Sequence, residues 1–242
     1  MNINNSQLVV AGIHVEISRK NIKNMHLSVH PPVGKVKLSV PQRMKDDNAR
    51  LAIIRRLKWI KQKQQEFQQQ ERQSQRQYVS GESHYFDGQR YVLEVCESHQ
   101  RAKVKILGNG RLQLTVRPSA SLQARAQAFD EFYRQHLKSH LENCLEGWTK
   151  KVGKEPTEIT IRRMKTRWGS CNQENRRILL NLELAKKPRM CVEYILVHEL
   201  VHLHERQHNE RFMALLTKAM PNWHVQRELL KSLPLAYETW EY

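Results

Sequence analysis

Five residues, His198-Glu199-Leu200-Val201-His202, restrict this chain more than any other feature. Residues four apart on a helix lie on one face, so His198 and His202 can aim imidazole nitrogens at a single ion. Glu199 stands one step on, about 100° around the helix. There its carboxylate can reach water at such an ion without ligating the ion itself. The surrounding residues Val192, Ile195, Leu196, Val197, Leu200, Val201 and Leu203 make the segment apolar nearly all round, which is the mark of a buried helix. A buried glutamate flanked by two buried histidines needs partners, because unpaired burial costs several kcal/mol. A metal satisfies all three.

Two histidines leave a catalytic metal short of a third protein ligand. On a helix predicted from about Arg189 to Glu205, His204 points away from the ligand face. Glu205, seven residues after His198, returns to that face if the helix continues. His208, ten residues after His198, has the spacing of the third histidine in H-E-x-x-H-x-x-G-x-x-H, with Glu205 where that pattern has Gly. The spacing favours His208, with Glu205 or a distant residue as alternatives. Asn209 can cap a following helix through Phe212, Leu215 and Leu216, which implies a break near Arg206-Gln207. His136 and His140 are also four apart, but Leu137 follows the first, and they read as a solvated or packing pair.

Composition narrows the class. The 41 Lys+Arg against 24 Asp+Glu give a net charge of +17, which draws a chain to polyanions and makes nucleic acid a candidate partner. No apolar run approaches the roughly 20 residues that span a bilayer, so no membrane role is expected. The start, MNINNSQLVV, lacks a basic stretch followed by an apolar one, so a cytoplasmic protein is expected. Cys96, Cys144, Cys171 and Cys191 form no CxxC pair and read as reduced, mostly buried thiols.

Along the chain, Ile13, Val15 and Ile17 alternate with polar residues as in a strand. His26–Val29 and Lys35–Val40 read as a hairpin around a Pro-Pro-Val-Gly turn. A helix opens near Asp46, capped by Asp46, Asp47 or Asn48, with Leu51, Ile54, Leu57 and Ile60 as its apolar stripe. Its Gln-rich tail, Lys61–Gln77, reads as solvated helix or linker. Two more hairpins follow, one turning at Asp87-Gly88 and one at Gly108-Asn109-Gly110. After Pro118, Ser119 or Ser121 can cap a long helix that Gly153 ends. Strands at Ile159–Ile161 and Ile178–Leu182 precede the H-E-x-x-H helix. No internal repeat is evident.

Upstream of that helix, Met164-Lys165-Thr166-Arg167-Trp168-Gly169-Ser170-Cys171 reads either as a turn with Trp168 in the core or as a wall of the active site. In the second case Lys165 and Arg167 bind an anionic substrate group or a developing oxyanion. Ser170 and Cys171 lack a dedicated base and are poor nucleophile candidates.

The set MKTRWGSC, ILLNLEL and VHELVHLHERQHNERF resembles the YgjP-like family of metal-dependent hydrolases, relatives of the SprT-like and other zincin metallopeptidases. RKNIKNMHLSVHPPVGKVKLSVP and SGESHYFDGQRYVLEV carry the resemblance, more weakly, toward the N-terminus. Met213 stands where the family often has Trp. The resemblance implies Zn²⁺ held by His198, His202 and His208, with Glu199 as the catalytic carboxylate. The expected fold is α+β: a β-rich N-terminal region with a long basic helix over residues 1–118, then a zincin-like catalytic domain over 119–242. In zincins an edge strand aligns the substrate. Ile178–Leu182 is the candidate, and its one polar side chain, Asn181, either touches substrate or faces solvent. The expected activity is a zinc metallopeptidase acting on peptide or protein. The alternatives are a metal-dependent nucleotide phosphohydrolase and a basic nucleic-acid-associated protein with a structural metal.

Overall fold

The computed structural model describes residues 4–30, 34–69, 76–164 and 167–234. They form two compact units, one over Ser74–Leu233 and one built from the chain before it together with Pro234. The class is mixed α+β, with six α-helices and three mixed sheets among the described residues. None of these helices is long and apolar enough to cross a membrane.

The first unit opens with a strand that no alternating pattern announced, β1 (Asn4–Val10). A tight turn at Ala11-Gly12, both at positive φ (49° and 78°), returns it into β2 (Ile13–Lys20). Two positive-φ residues match the turn to the right-handed twist of the paired strands. β3 (His26–His30) and β4 (Lys35–Pro41) form the expected antiparallel hairpin, and β4 lies parallel to β2, giving the order β1-β2-β4-β3. The alternation is strict. Val15, Ile17, Val36, Leu38 and Val40 are buried, while Glu16, Ser18, Lys35, Lys37 and Ser39 lie on the other face.

Against the apolar face pack α1 (Asp46–Arg55) and α2 (Leu57–Gln69), joined at Arg56 rather than continuous. Ala49, Ile53 and Ile60 are buried, whereas Leu51 and Ile54 are about half exposed. The expected stripe fails because three-residue steps drift about 60° backward each time, and because the break at Arg56 puts Leu57 and Ile60 on a different helix from Leu51 and Ile54. Nor does a side chain cap α1. Lys45 takes the N-cap position without a side-chain hydrogen bond, and Asp46 instead pairs with Arg19.

The second unit begins with another four-stranded sheet: β5 (Ser83–Phe86), β6 (Gln89–Glu97), β7 (Lys103–Gly108) and β8 (Arg111–Val116). Its order, β5-β6-β8-β7, and its sequence of antiparallel, parallel and antiparallel pairs repeat those of the first sheet. The turn Asp87-Gly88 repeats Ala11-Gly12 in its positive φ pair, 50° and 77°. Even the inward residues correspond, since Val15↔Val36 and Ile17↔Leu38 match Leu93↔Leu112 and Val95↔Leu114. A structural repeat is therefore present where the residues gave no sign of one.

The 31-residue α3 (Leu122–Val152) covers the second sheet. Ser121 caps it by accepting from Ala124 N at 3.2 Å, and Gly153 ends it in the left-handed region. Leu93, Leu112, Leu114 and Val116 share one core with Phe129, Phe132 and Tyr133 of α3. The boundary expected after Pro118 therefore falls inside this unit, because strands on one side of it and the helix on the other bury each other.

Beyond α3 come β9 (Glu158–Arg162), β10 (Gly169–Asn172) and β11 (Arg177–Asn181), in the order β10-β11-β9. A 3-10 turn (Leu182–Lys186) leads into α4 (Arg189–Val201), followed by α5 (Glu210–Ala219) and α6 (Trp223–Ser232). The strand expected at the sheet edge, Ile178–Leu182, is instead central: β11 pairs with β10 on one side and β9 on the other. The edge next to it is β10, four residues too short and too polar to show a pattern.

Candidate metal centre and cleft

α4 buries Val192, Leu196, Val197, Leu200 and Val201, which holds it rigidly in the core of its unit. It ends three to four residues sooner than expected. His202 is its C-cap, yet its backbone is still helical, and its N–H reaches His198 O at 3.2 Å. The shared face of His198 and His202 thus survives to the last residue. The chain then tightens, with Leu203 N on Leu200 O and His204 N on Val201 O. His204 turns away, as its spacing implied, and its Nε2 meets Val152 O at 2.9 Å. The break comes at this tight turn rather than at Arg206-Gln207. Asn209 then starts α5, its Oδ1 accepting from Phe212 N at 3.0 Å.

That path brings His208 back. His198, His202 and His208 each offer a ligand atom, and these atoms lie within 4.8 Å of one another. His208 Nε2 is 3.0 Å from His198 Nε2. Phe212, fully buried, backs all three rings at centroid distances of 4.6 to 5.0 Å. Glu205 does not join them. Its carboxylate accepts from Gln207 N and faces Arg211. His136 and His140 are also apart from any such group among the described residues. His136 packs on Phe86 and Phe132, and His140 faces Glu193.

The three imidazoles fit a metal ion on two counts. His202 Nδ1 is 3.0 Å from Glu205 O, and a carbonyl can only accept, so Nδ1 carries the proton and Nε2 keeps its lone pair. Burial first, then the neighbouring His202 and His208, pushes the His198 pKa down to about 3, which keeps its ring neutral as a ligand must be. Three nitrogens about 2.1 Å from one ion at tetrahedral angles stand roughly 3.4 Å apart, within reach of this cluster.

Glu199 lies beside the triad and is buried. Burial, opposed by the Arg167 guanidinium, raises its pKa to about 8. Its other neighbour is Gly169, the first residue of β10. A methyl group there would stand 2.7 Å from Glu199 Oε1 and 2.8 Å from its Cγ. Gly169 falls in the segment that the sequence marked as a wall of the site, but nothing in the sequence pointed to its contact with Glu199.

Triad and Glu199 open into a cleft of about 730 Å³ that β10, Arg167, Trp168, Tyr194 and Arg206 also line. The Met164–Cys171 segment is therefore the wall of a site, with Trp168 half buried against the core as well. Lys165 lies outside the described residues. Cys171 is no activated nucleophile, for burial and then Glu199 push its thiol up to about 11.

Asn181 has a different task from either one expected. It is only 2% exposed, so it faces no solvent. Its Nδ2 donates to Met164 O (2.9 Å) and Arg167 O (2.8 Å), and its Oδ1 accepts from Met164 N and Glu183 N, both at 3.2 Å. Three of these four bonds hold the wall from beneath, and the fourth caps the 3-10 turn. Beside it, burial would raise the Glu183 carboxyl, but Lys186 and Arg163 hold it below its ordinary value.

The crystal structure of the metallopeptidase zymogen of Pyrococcus abyssi abylysin is 22% identical, with a TM-score of 0.35, over 40% of this chain and 98% of that one. No curated protein matches. Nothing in the matches favours a nucleotide substrate or a nucleic-acid partner. Residues 23–233 match the family described as YgjP-like, metallopeptidase domain, and the chain belongs to that family of metallopeptidase-type hydrolases.

Proposed function

We propose that this protein is a zinc-dependent metallopeptidase with a zincin-like catalytic unit. One observation carries the reading: three imidazole donors within 4.8 Å of one another, next to a buried glutamate at the floor of an open cleft. His198, His202 and His208 would hold the ion. When bound, zinc supplies Lewis acidity and lowers the pKa of water at the site toward about 7. Glu199 takes the proton from the attacking water and passes it to the leaving amine nitrogen. Its burial suits a carboxylate that must accept and return a proton near neutral pH. Phe212 keeps the histidine rings from rotating off the ion. β10, as the edge strand, offers unpaired backbone groups on which an extended peptide can align.

Elemental analysis of pure protein should find about one zinc per chain, and His198→Ala or His202→Ala should lose it. Glu199→Gln should keep zinc while turnover of casein-like proteins or peptides falls at least about 100-fold. Zinc retained in both histidine variants, or full turnover by Glu199→Gln, would overturn the assignment.

A further inference from the structure

Charged groups of both signs line the cleft. Two guanidinium groups line it, Arg167 and Arg206, both on exposed residues. Neither is in a salt bridge with a carboxylate among the described residues. Two carboxylates line it as well. Glu199 is buried and committed beside the triad, and Glu174 lies on the exposed turn beyond β10. Arg167 and Glu199 line the same cleft. A guanidinium that shares a cleft with the reacting carboxylate and forms no salt bridge among the described residues can serve as a recognition group for a substrate anion.

Its mounting supports that role. Arg167 O is held by Asn181 Nδ2 at 2.8 Å, and Trp168 O by Asn181 N at 2.9 Å. Asn181 is itself locked in place as the cap of the 3-10 turn. The backbone at Arg167 and Trp168 is therefore tied to Asn181, which reduces the freedom lost on binding. A guanidinium presents two parallel donors that match a carboxylate, and such charge-assisted pairs are among the stronger polar contacts. Arg206 adds to the positive field that draws an anion inward.

We propose that the cleft selects peptides with an aspartate or glutamate side chain close to the scissile bond, and that Arg167 is the residue that reads it. The inference rests on the metallopeptidase reading and names its substrate class. Were Arg167 instead an oxyanion donor, it would serve acidic and neutral peptides alike.

The test uses full-length zinc-loaded protein carrying Glu199→Gln, which binds without turnover. Two fluorescent peptides of equal length, differing only by Asp/Glu against Asn/Gln, are titrated by anisotropy. The acidic peptide should bind about 10-fold more tightly, the scale of one hydrogen-bonded charge pair. Adding Arg167→Gln should erase the difference, and Arg167→Lys should restore part of it. Equal affinities for the two peptides, or a preference that survives Arg167→Gln, overturns the proposal. Turnover by the unmutated enzyme separates the two claims. Cleavage of neutral and acidic peptides at equal rates sinks this inference alone, while failure to bind or cleave any peptide sinks the metallopeptidase reading with it.

Discussion

The first and second four-stranded sheets share strand order, pairing pattern and hairpin turn, yet they serve different ends. The first closes on a small aliphatic core of valine, leucine and isoleucine, with alanine from its helix. The second closes on α3 through a cluster of aromatic rings and belongs to the larger core that also holds the H-E-x-x-H helix. Charge divides the same way. Residues 1–73 hold 14 of the 41 Lys+Arg and 5 of the 24 Asp+Glu, which gives +9 of the +17 in under a third of the chain. The polar face of the first sheet carries Lys35 and Lys37 against a single Glu16. One backbone plan thus accepts either role, and the chain that follows decides which.

The sharpest way to break this contrast is to remove the metal. Chelation should destabilise Ser74–Leu233 by about 4 kcal/mol, the value for a ligand at roughly a thousand times its dissociation constant. Hydrogen exchange should then speed up in Arg189–Phe212 and stay unchanged in Ile13–Val40. Loss of protection in both regions would show that the ion does not belong to the second unit alone.

Next in size are paired truncations at matching positions, Leu38→Ala and Leu114→Ala. Both side chains are fully buried, so each should cost about 2–5 kcal/mol. Leu114→Ala should also lower zinc retention, whereas Leu38→Ala should leave it intact. Equal loss of zinc in both would erase the functional difference between the sheets.

A smaller effect distinguishes the second sheet by pH. His84 is 3% exposed, stacked on Phe129 at 4.4 Å, with Nε2 3.2 Å from Glu82 Oε2. Burial lowers its pKa to about 4 and outweighs Glu82, which pulls it back up. Between about pH 6.5 and 4 the unfolded chain therefore binds a proton that the folded chain refuses. Stability of this unit should fall as the pH drops through that window, and His84→Gln should flatten the decline in denaturant titrations. An unchanged slope would mean that other groups govern it.

The smallest change is Asn209→Ala, which removes the cap of α5 at a cost of about 1 kcal/mol. Because His208 is the residue before it, chelator competition should show a slight weakening of zinc. The matching loss at α3, Ser121→Ala, should leave zinc affinity unaltered.

What the residues disclosed depended on range. The H-E-x-x-H geometry, the cap at Asn209 and the stop at Gly153 are decided within four or so residues and could be read directly, and the cap of α3 could be narrowed to Ser119 or Ser121. The strand β10 could not, for Gly-Ser-Cys-Asn has no alternation and becomes a strand only because β11 pairs with it. The repeat was hidden for a related reason: what recurs is which strand pairs with which, and valine in one sheet is leucine in the other. Asn181 was misjudged because its partners, Met164 and Arg167, are 17 and 14 residues away.

Gly169 has a consequence on an evolutionary scale. Its backbone is not in the left-handed region, so conformation alone would admit any residue there. Space would not, since every alternative adds the carbon that collides with Glu199. Even alanine, the smallest replacement, can be admitted only if the Glu199 side chain moves from its place beside the triad. A lineage that keeps the glutamate must therefore keep this glycine, while one that has lost the reaction is released from both at once. The pair should drift together, and a relative with a side chain at this position should be sought among proteins that no longer cut anything.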